Sequence, residues 1–253
     1  MNIFYQRVYA WLVHLFTASG GIFAVLALAE SVQAYAAKVT LDHANYLFHL
    51  KISFAYVTIA VIIDAVDGTL ARQVNITKLA PLDGALLDNI IDFVNYSIIP
   101  AVWVFITNIV PDNLKVISMI LIVLASCYQF CQFDAKTDDH FFKGFPSYWN
   151  LAIYYLVYFN FTTTSSFIII LCLVILTLIP IKYIYPSRMN HLSNSKFVLL
   201  AMFTYTLVWG AATIISGIIW PQSSTILTWI IVSYLITYFL FSTYRTIFPL
   251  QQH

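Results

Sequence analysis

Two short stretches decide the fold of this chain: Asp64-Ala-Val-Asp67-Gly68-Thr-Leu-Ala71-Arg72 and, eleven residues further on, Gly84-Ala-Leu-Leu-Asp88-Asn-Ile-Ile-Asp92. Each stretch stands in a long apolar run. Each carries two aspartates three or four residues apart, a spacing that places both on one face of a helix. Because the connection between the two helices is short, they are expected to be antiparallel neighbours. The four carboxylates should therefore face one another across one helix–helix seam.

The composition is that of a membrane protein. Hydrophobic residues make up 61% of the 253 residues and charged residues only 9%, whereas a soluble domain carries about a quarter charged residues. So few charges cannot cover a surface that faces water, and most of the outside must therefore face lipid. The net charge of +1 gives no reason to expect a nucleic-acid partner.

Apolar runs of about 20 residues, the length that crosses a bilayer, recur along the whole chain. They predict an all-α integral membrane protein with about eight transmembrane helices. The connections are short, which indicates a single polytopic domain over residues 1–253. The predicted spans are Val8–Ala29, Leu47–Ala71, Leu82–Thr107, Val116–Phe133, Tyr148–Phe161, Phe167–Tyr183, Phe197–Ile219 and Ile226–Tyr244.

The distribution of cations predicts the orientation. If the N-terminus is cytoplasmic, nine of the twelve Lys and Arg residues lie on the cytoplasmic side, all except Lys38, Lys51 and Lys115. This is the bias expected of cytoplasmic loops. An even number of spans then returns the C-terminus to the cytoplasm as well. The aspartates are expected at the cytoplasmic ends of the second and third spans.

Four close carboxylates at a membrane edge repel one another and are costly to desolvate. Ionisable residues inside a membrane mark a functional site by default. A divalent cation is the simplest agent that stabilises such a cluster, and ligation by oxygen alone favours Mg²⁺, Mn²⁺ or Ca²⁺ over zinc. Gly68, Ala71 and Gly84 lie along the same seam. They either make room for a bulky phosphorylated ligand or let the helices approach closely, and the spacing leaves both interpretations open.

The pattern resembles the signature of the CDP-alcohol phosphotransferase family, Asp-x2-Asp-Gly-x2-Ala-Arg, a spacer, then Gly-x3-Asp-x3-Asp. Every fixed residue of that signature is present between positions 64 and 92. The spacer between Arg72 and Gly84 is longer than is usual in the family, by about one helical turn. This longer spacer, the additional spans and the segments Phe142–Asn150 and Tyr185–Arg188 are similar to the bacterial branch that transfers a phosphatidyl group to choline.

The resemblance implies an enzyme of phospholipid biosynthesis in the bacterial inner membrane, with its active site toward the cytoplasm. Its substrates would be CDP-diacylglycerol and choline, and its products phosphatidylcholine and CMP. The reaction would use a two-metal mechanism with Mn²⁺ or Mg²⁺. The resemblance also implies a homodimer in contact with membrane lipid.

The resemblance further implies roles for individual residues. The predicted metal ligands are Asp64, Asp67, Asp88 and Asp92. Asp92 is also the candidate catalytic general base, which takes the proton from the choline hydroxyl. The residues predicted to bind the CDP-lipid are Asp64, Gly68, Ala71, Arg72, Gly84 and Thr17. Asp83 is interpreted as a loop or helix-start residue.

Recognition of choline makes a different demand, because its quaternary ammonium has no N–H to donate. Aromatic faces bind such a group, with a carboxylate as a further partner. The candidates near the predicted cytoplasmic face are Phe145, Tyr148, Trp149 and Tyr185.

Other functions stay open at this point. Within the family, the acceptor could be serine, inositol or glycerol phosphate, or CDP-choline could react with diacylglycerol. A phosphorylated acceptor would need several additional cations near the site, which mildly favours an uncharged or cationic one. A cation transporter is the alternative from another class, because intramembrane acids also build ion paths. Transporters place their sites near the midplane between internal repeats, whereas here the acids lie toward one face and no repeat is apparent.

Overall fold

The computed structural model of the protein describes residues 3–72, 80–193 and 195–249. An antiparallel pair of strands, β1 (Phe141–Lys143) and β2 (Lys182–Ile184), accompanies the helices. The chain divides into two compact units, Met1–Thr107 with Trp149–Tyr154, and Asn108–Tyr148 with Tyr155–His253. The α-helices are α1 (Ile3–Val39), α2 (His43–Arg72), α3 (Gly84–Phe93), α4 (Ile99–Ile106), α5 (Lys115–Cys131), α6 (Trp149–Tyr158), α7 (Thr163–Leu178), α8 (Lys196–Ile219) and α9 (Thr225–Ile247).

Within the described residues, six helical segments are long and apolar enough to cross a membrane. They are α1, α2, the segment Gly84–Ile106, the segment Asp112–Cys131, α8 and α9. The prediction of a largely helical protein with several potential membrane spans is therefore confirmed. Helices also overlap the two remaining predicted spans, but α6 has only 10 residues, and α7 has 16 and begins before its predicted span, at Thr163. The count of eight spans, the cytoplasmic termini and the single domain stay predictions.

The two-stranded sheet departs from the predicted all-α architecture. The predicted span Phe167–Tyr183 extends past the end of α7 at Leu178. Pro180 has no N–H and disfavours helical geometry at the residue before it, so the chain leaves the helix and becomes extended. The extended segment then pairs with β1, with Phe142 opposite Tyr183.

The first unit depends on the packing of α1 against α2. Small side chains let helical backbones approach closely in a membrane, where packing rather than the hydrophobic effect drives helix association. Most of the residues that α1 buries are small, and they recur every three or four positions along it: Ala10, Val13, His14, Thr17, Gly20, Ala24, Ala27, Ser31, Ala34 and Ala37. This close approach holds the aspartates of α2 beside α1.

A buried hydrogen-bond network joins α4 to both of these helices. Trp103 Nε1 donates to Ser53 Oγ over 2.8 Å. Ser53 Oγ in turn donates to Ala27 O over 2.9 Å and lies 3.0 Å from Ser31 Oγ. The side chains of Trp103, Ser53 and Ser31 are all buried. The network therefore fixes how α4 packs against α1 and α2.

The segment from Gly84 to Ile106 is not one continuous α-helix. A π-helical turn covers Val94–Ile98, and the Ile99 N–H donates to Val94 O, five residues earlier. Pro100 lies in the first turn of α4. Since proline has no N–H, it cannot donate the bond that an α-helix would make to the carbonyl of Tyr96, and this favours the wider turn. Such turns inside α-helices frequently lie at functional sites.

Two ion pairs hold the region around the sheet in the second unit. Lys182 Nζ lies 2.5 Å from Asp139 Oδ2, and Lys143 Nζ lies 2.5 Å from Asp134 Oδ2. Burial by itself would raise the pKa of Asp139, but hydrogen bonds from Lys182 and Thr137 outweigh it, and the net effect lowers the pKa. The carboxylate of Asp139 is thus kept charged as a partner for Lys182.

We expect Ser53→Ala to destabilise the protein, because it leaves the buried Trp103 Nε1 without its acceptor. The expected loss in the free energy of unfolding is about 1–3 kcal/mol, measured by equilibrium unfolding in mixed micelles. Ser118→Ala is the matched control, since Ser118 is also buried but donates to Leu114 O in the preceding turn. Equal losses in the two variants would contradict the role of the network.

Candidate active site

The aspartates of the sequence signature converge on one pocket in the first unit. Helices α1, α2 and α3 and the π-helical turn all contribute to it. The residues that line it are Asp64, Asp67, Asp88 and Asp92, together with Thr17, Gly20, Ala60, Ile63, Ile91, Asn95 and Tyr96. Of the predicted site residues, the structure thus brings together all four acids and Thr17.

Three of the acids form a group that suits a metal ion. Asp64, Asp88 and Asp92 each offer a carboxylate oxygen, and these oxygens lie within 4.8 Å of one another. All three side chains are half-buried. Like charges this close disfavour one another's ionised state, whereas a divalent cation makes the arrangement favourable. A donor set of oxygens alone fits hard ions such as Mg²⁺ or Mn²⁺, so these residues could bind the metal that the family resemblance implies.

Asp67 lines the same pocket but does not belong to this group of three. It is 6% exposed, and its carboxylate accepts a hydrogen bond from the Thr17 hydroxyl. Thr17 lies on the buried face of α1, so the packing of α1 on α2 sets the orientation of Asp67. The roles of Asp67 as a metal ligand and of Thr17 in binding the CDP-lipid stay predictions.

Sequence reasoning missed two further side chains of the pocket, Asn95 and Tyr96. Tyr96 is 7% exposed, and its hydroxyl donates to Asp64 Oδ2 over 2.7 Å. Asn95 is 2% exposed. The sequence does carry a signal for both, because they follow Asp92 by three and four residues and therefore share its helix face. Asn95 and Tyr96 form a polar pair in an otherwise apolar run, and this pair is the sequence signal for their place in the pocket.

Asp83 caps α3 by accepting a hydrogen bond from Leu86 N over 3.0 Å, which confirms its interpretation as a helix-start residue.

Gly84 lies beneath a side chain of α1. A Cβ atom on Gly84 would lie 2.7 Å from Cε1 and 3.2 Å from Nδ1 of His14, and His14 is 6% exposed. The space left by this glycine is therefore filled by an imidazole, which favours close helix approach over room for a ligand.

The other small residues of the signature lie outside the lining of the pocket. Gly68 is half-buried and Ala71 is exposed near the end of α2. The side chain of Arg72 lies outside the described part of the structure, as do residues 73–79. The predicted roles of Gly68, Ala71, Arg72 and Gly84 in binding the CDP-lipid stay predictions.

None of the four choline candidates lines the pocket. Trp149 belongs to the first unit and is fully buried. Phe145 belongs to the second unit, where its ring packs edge-on to Tyr183 with 6.3 Å between the centroids. Phe145 is 6% exposed, so its ring is buried in this aromatic environment.

Tyr148 and Tyr185 lie in one aromatic cluster of the second unit. The ring centroid of Phe142 is 4.3 Å from that of Tyr185 and 6.1 Å from that of Tyr148. The ammonium of Lys136 lies 5.5 Å from the centroid of the Tyr185 ring. A cation of the protein thus already lies over Tyr185, and the part of all four candidates in choline recognition stays a prediction.

The fold and the site together define a class, the CDP-alcohol phosphotransferases, because the chain carries every fixed residue of their signature between Asp64 and Asp92 and its four aspartates line one pocket. No protein-family model matches the chain. The chain is 43% identical to phosphatidylcholine synthase of Legionella bozemanae, over 81% of this chain and 94% of that protein. It is 36% identical to phosphatidylcholine synthase of Legionella pneumophila, over 97% and 91%. Phosphatidylcholine synthase of Borreliella burgdorferi is 39% identical, over 73% and 74%. The chain belongs to the phosphatidylcholine synthase family.

Tyr96→Phe is expected to weaken metal binding, because the hydroxyl of Tyr96 orients the carboxylate of Asp64. Loss of such an outer-shell partner lowers metal affinity by about 10–100-fold, and titration calorimetry with Mn²⁺ on the detergent-purified protein would measure it. Tyr56→Phe is the matched control, since Tyr56 lies on α2 with its ring 6.1 Å from that of Phe23. The same loss of affinity in both variants would exclude a specific role for Tyr96.

Gly84→Ala is expected to lower stability through a clash with His14. Overpacking of this kind costs about 1–3 kcal/mol. In the His14→Ala background the added methyl group has room, so the cost should fall, with a coupling between the two sites of about 0.5–3 kcal/mol. Unfolding of the four proteins in detergent micelles gives this double-mutant cycle. Additive effects would show that the Gly84–His14 contact does not explain the glycine.

Proposed function

We propose that the protein transfers a phosphatidyl group from CDP-diacylglycerol to choline and so forms phosphatidylcholine and CMP. The observation that carries the proposal is the group of Asp64, Asp88 and Asp92 in one pocket of a chain whose relatives are named phosphatidylcholine synthases. The chain covers 94% and 91% of two of these relatives. Because the chain covers nearly the full length of these relatives, the proposal concerns the complete transfer reaction.

The acids of the pocket are proposed to hold divalent metal, two ions of Mn²⁺ or Mg²⁺. Asp64, Asp88 and Asp92 would supply most of the ligands, with Asp67 as a further one held in place by Thr17. When bound, the metal would neutralise the diphosphate of the CDP-lipid and stabilise the charge that develops on it. The side chain of Tyr96 keeps Asp64 oriented through its hydrogen bond.

Asp92 is proposed as the general base. The choline oxygen forms a bond to the phosphorus that carries diacylglycerol, the bond from that phosphorus to the oxygen bridging to CMP breaks, and CMP leaves with the bonding electrons. The hydroxyl proton moves to the Asp92 carboxylate. A carboxylate is a weak base for an alcohol, so the proton is taken late in the attack, when the oxygen has become acidic. Asp64, Thr17, Gly68, Ala71 and Arg72 are proposed to bind the CDP-lipid, and Gly84 to support that site through the close packing of α3 against His14.

The protein is proposed to lie in the bacterial inner membrane with both termini and the active site toward the cytoplasm. The excess of cations on that side supports this orientation. Eight spans would require α6 and α7 to cross. With 10 residues, α6 extends only about 15 Å, half of the hydrocarbon core, so it would cross only together with flanking segments that protein shields from lipid. One polytopic domain and a homodimer complete this proposal.

Asp92→Asn is expected to abolish transfer while binding of CDP-diacylglycerol largely survives, because the amide cannot take up the proton. Label passing from choline into the lipid phase measures turnover, and calorimetry measures binding. Asp138→Asn, an exposed loop acid, is the matched control and should retain activity. Turnover in the Asp92→Asn protein would remove the base assignment.

The proposed function is tested by offering the purified protein CDP-diacylglycerol with Mn²⁺ or Mg²⁺ and, separately, labelled choline, serine, inositol and glycerol 3-phosphate. Transfer from choline alone, abolished by EDTA, is the expected result. Transfer from another alcohol would keep the chemistry but replace the acceptor. Failure to bind either metal or CDP-lipid would overturn the enzymatic proposal and favour cation transport.

A further inference from the structure

The pocket contains a polar atom that the protein leaves without a partner. Asn95 is 2% exposed and lines the pocket. Its Oδ1 accepts no hydrogen bond within the described residues. Its Nδ2 donates to Ile91 O over 3.1 Å and to Gly20 O over 3.4 Å. Since both partners are carbonyl oxygens, which only accept, the amide cannot be turned around, and the oxygen is the atom left over.

A buried acceptor without a donor is rare in native proteins and calls for an explanation. A ligand that satisfies it must bring a hydrogen-bond donor or a positive charge. The other hydroxyl groups of the pocket do not supply one, because the Thr17 hydroxyl donates to Asp67 and the Tyr96 hydroxyl donates to Asp64. Asn95 Oδ1 therefore indicates that the part of a ligand beside it carries a hydrogen-bond donor or a positive charge.

Choline, the acceptor in the function proposed above, offers two features for recognition. Its one O–H must reach Asp92, where the proton is taken. The remaining feature is the trimethylammonium group, which has a full positive charge and no N–H. Such a group is bound by aromatic faces and is attracted to the negative end of a carbonyl dipole.

Asp92 and Asn95 line the same pocket and are three residues apart, with the π-helical turn beginning between them. Two methylene groups separate the hydroxyl oxygen from the nitrogen of choline. A choline whose hydroxyl lies at Asp92 therefore has its ammonium group within the same pocket. Tyr96, next in sequence, lines the same pocket and is 7% exposed, so the pocket also contains an aromatic side chain.

We propose that Asn95 and Tyr96 form the subsite for the quaternary ammonium of the acceptor alcohol. Asn95 Oδ1 faces the positive charge, and the ring of Tyr96 contributes an aromatic surface. This inference rests on the proposed function and assigns its acceptor end to residues other than the four candidates Phe145, Tyr148, Trp149 and Tyr185. A neutral amide suits the place, because a fifth carboxylate would add to the repulsion and would attract a further metal ion.

The test compares wild type with Asn95→Leu and Asn95→Ser in steady-state transfer by the full-length protein at saturating Mn²⁺. The KM for choline is expected to rise by about tenfold or more, with the KM for CDP-diacylglycerol and the Mn²⁺ affinity unchanged. The uncharged isostere 3,3-dimethylbutan-1-ol reports on the charge directly. Wild type should prefer choline over it, and the Asn95 variants should lose that preference.

Ser97→Ala is the matched control, because Ser97 belongs to the same π-helical turn and is fully buried but does not line the pocket. It should leave both KM values unchanged. If Asn95→Leu does not fold, the pair Tyr96→Phe and Tyr96→Leu carries the test. Both variants lose the hydroxyl that orients Asp64, so at saturating Mn²⁺ they are compared with each other. The leucine also lacks the aromatic face and should show the higher KM for choline.

An unchanged KM for choline in the Asn95 variants would overturn the proposal. So would a change confined to the Mn²⁺ affinity, which would make Asn95 a metal ligand, or to the KM for CDP-diacylglycerol, which would place it at the donor. Wild type that transfers to no alcohol would defeat the proposed function itself. If instead wild type uses choline and the Asn95 variants keep its KM for choline, only the subsite proposal fails.

Discussion

Repulsion between carboxylates in a medium that hydrates them poorly is the constraint on which the rest of the structure depends. The oxygens of Asp64, Asp88 and Asp92 lie within 4.8 Å of one another, and Asp67 lines the same pocket. Apart from a metal ion, only the surrounding helices can keep these groups together. The repulsion would separate α2 and α3 if these helices were loosely packed. Each of the two helices must therefore be held in place by contacts other than those between the acids.

That scaffold comes from small residues on α1. Its stripe of buried alanine, serine and glycine brings α1 close to α2, and the same stripe reaches the pocket at Thr17 and Gly20. A Cβ atom on Gly20 would lie 3.1 Å from Cγ2 of Ile91, so α3 also packs against this face. One helix therefore sets the distance between the two acidic helices and orients Asp67 through Thr17.

Spacing along the sequence predicted which residues share a helix face, and this was enough for the aspartates. It could not predict which side chain of a distant helix lies opposite, so the contact of His14 with Gly84 was missed. The π-helical turn depends on Pro100, and the end of α7 depends on Pro180. Averaging hydrophobicity over the length of a membrane span does not detect the local effect of a single proline. Aromatic residues make up 17% of the chain, and composition of that kind cannot single out a binding pocket.

The segment that carries the second acidic pair becomes more buried as it proceeds. Asp88 and Asp92 are half-buried, whereas Asn95 is 2% exposed. The free energy needed to bury an unpaired charge rises steeply with loss of water, and a neutral amide avoids most of it. Charged oxygens thus stand where metal and phosphate can neutralise them, and a neutral oxygen stands one helical turn deeper. In the proposed reaction this gradient places the metal and the diphosphate beside Asp88 and Asp92 in the more exposed part of the pocket, and the neutral amide of Asn95 in the buried part.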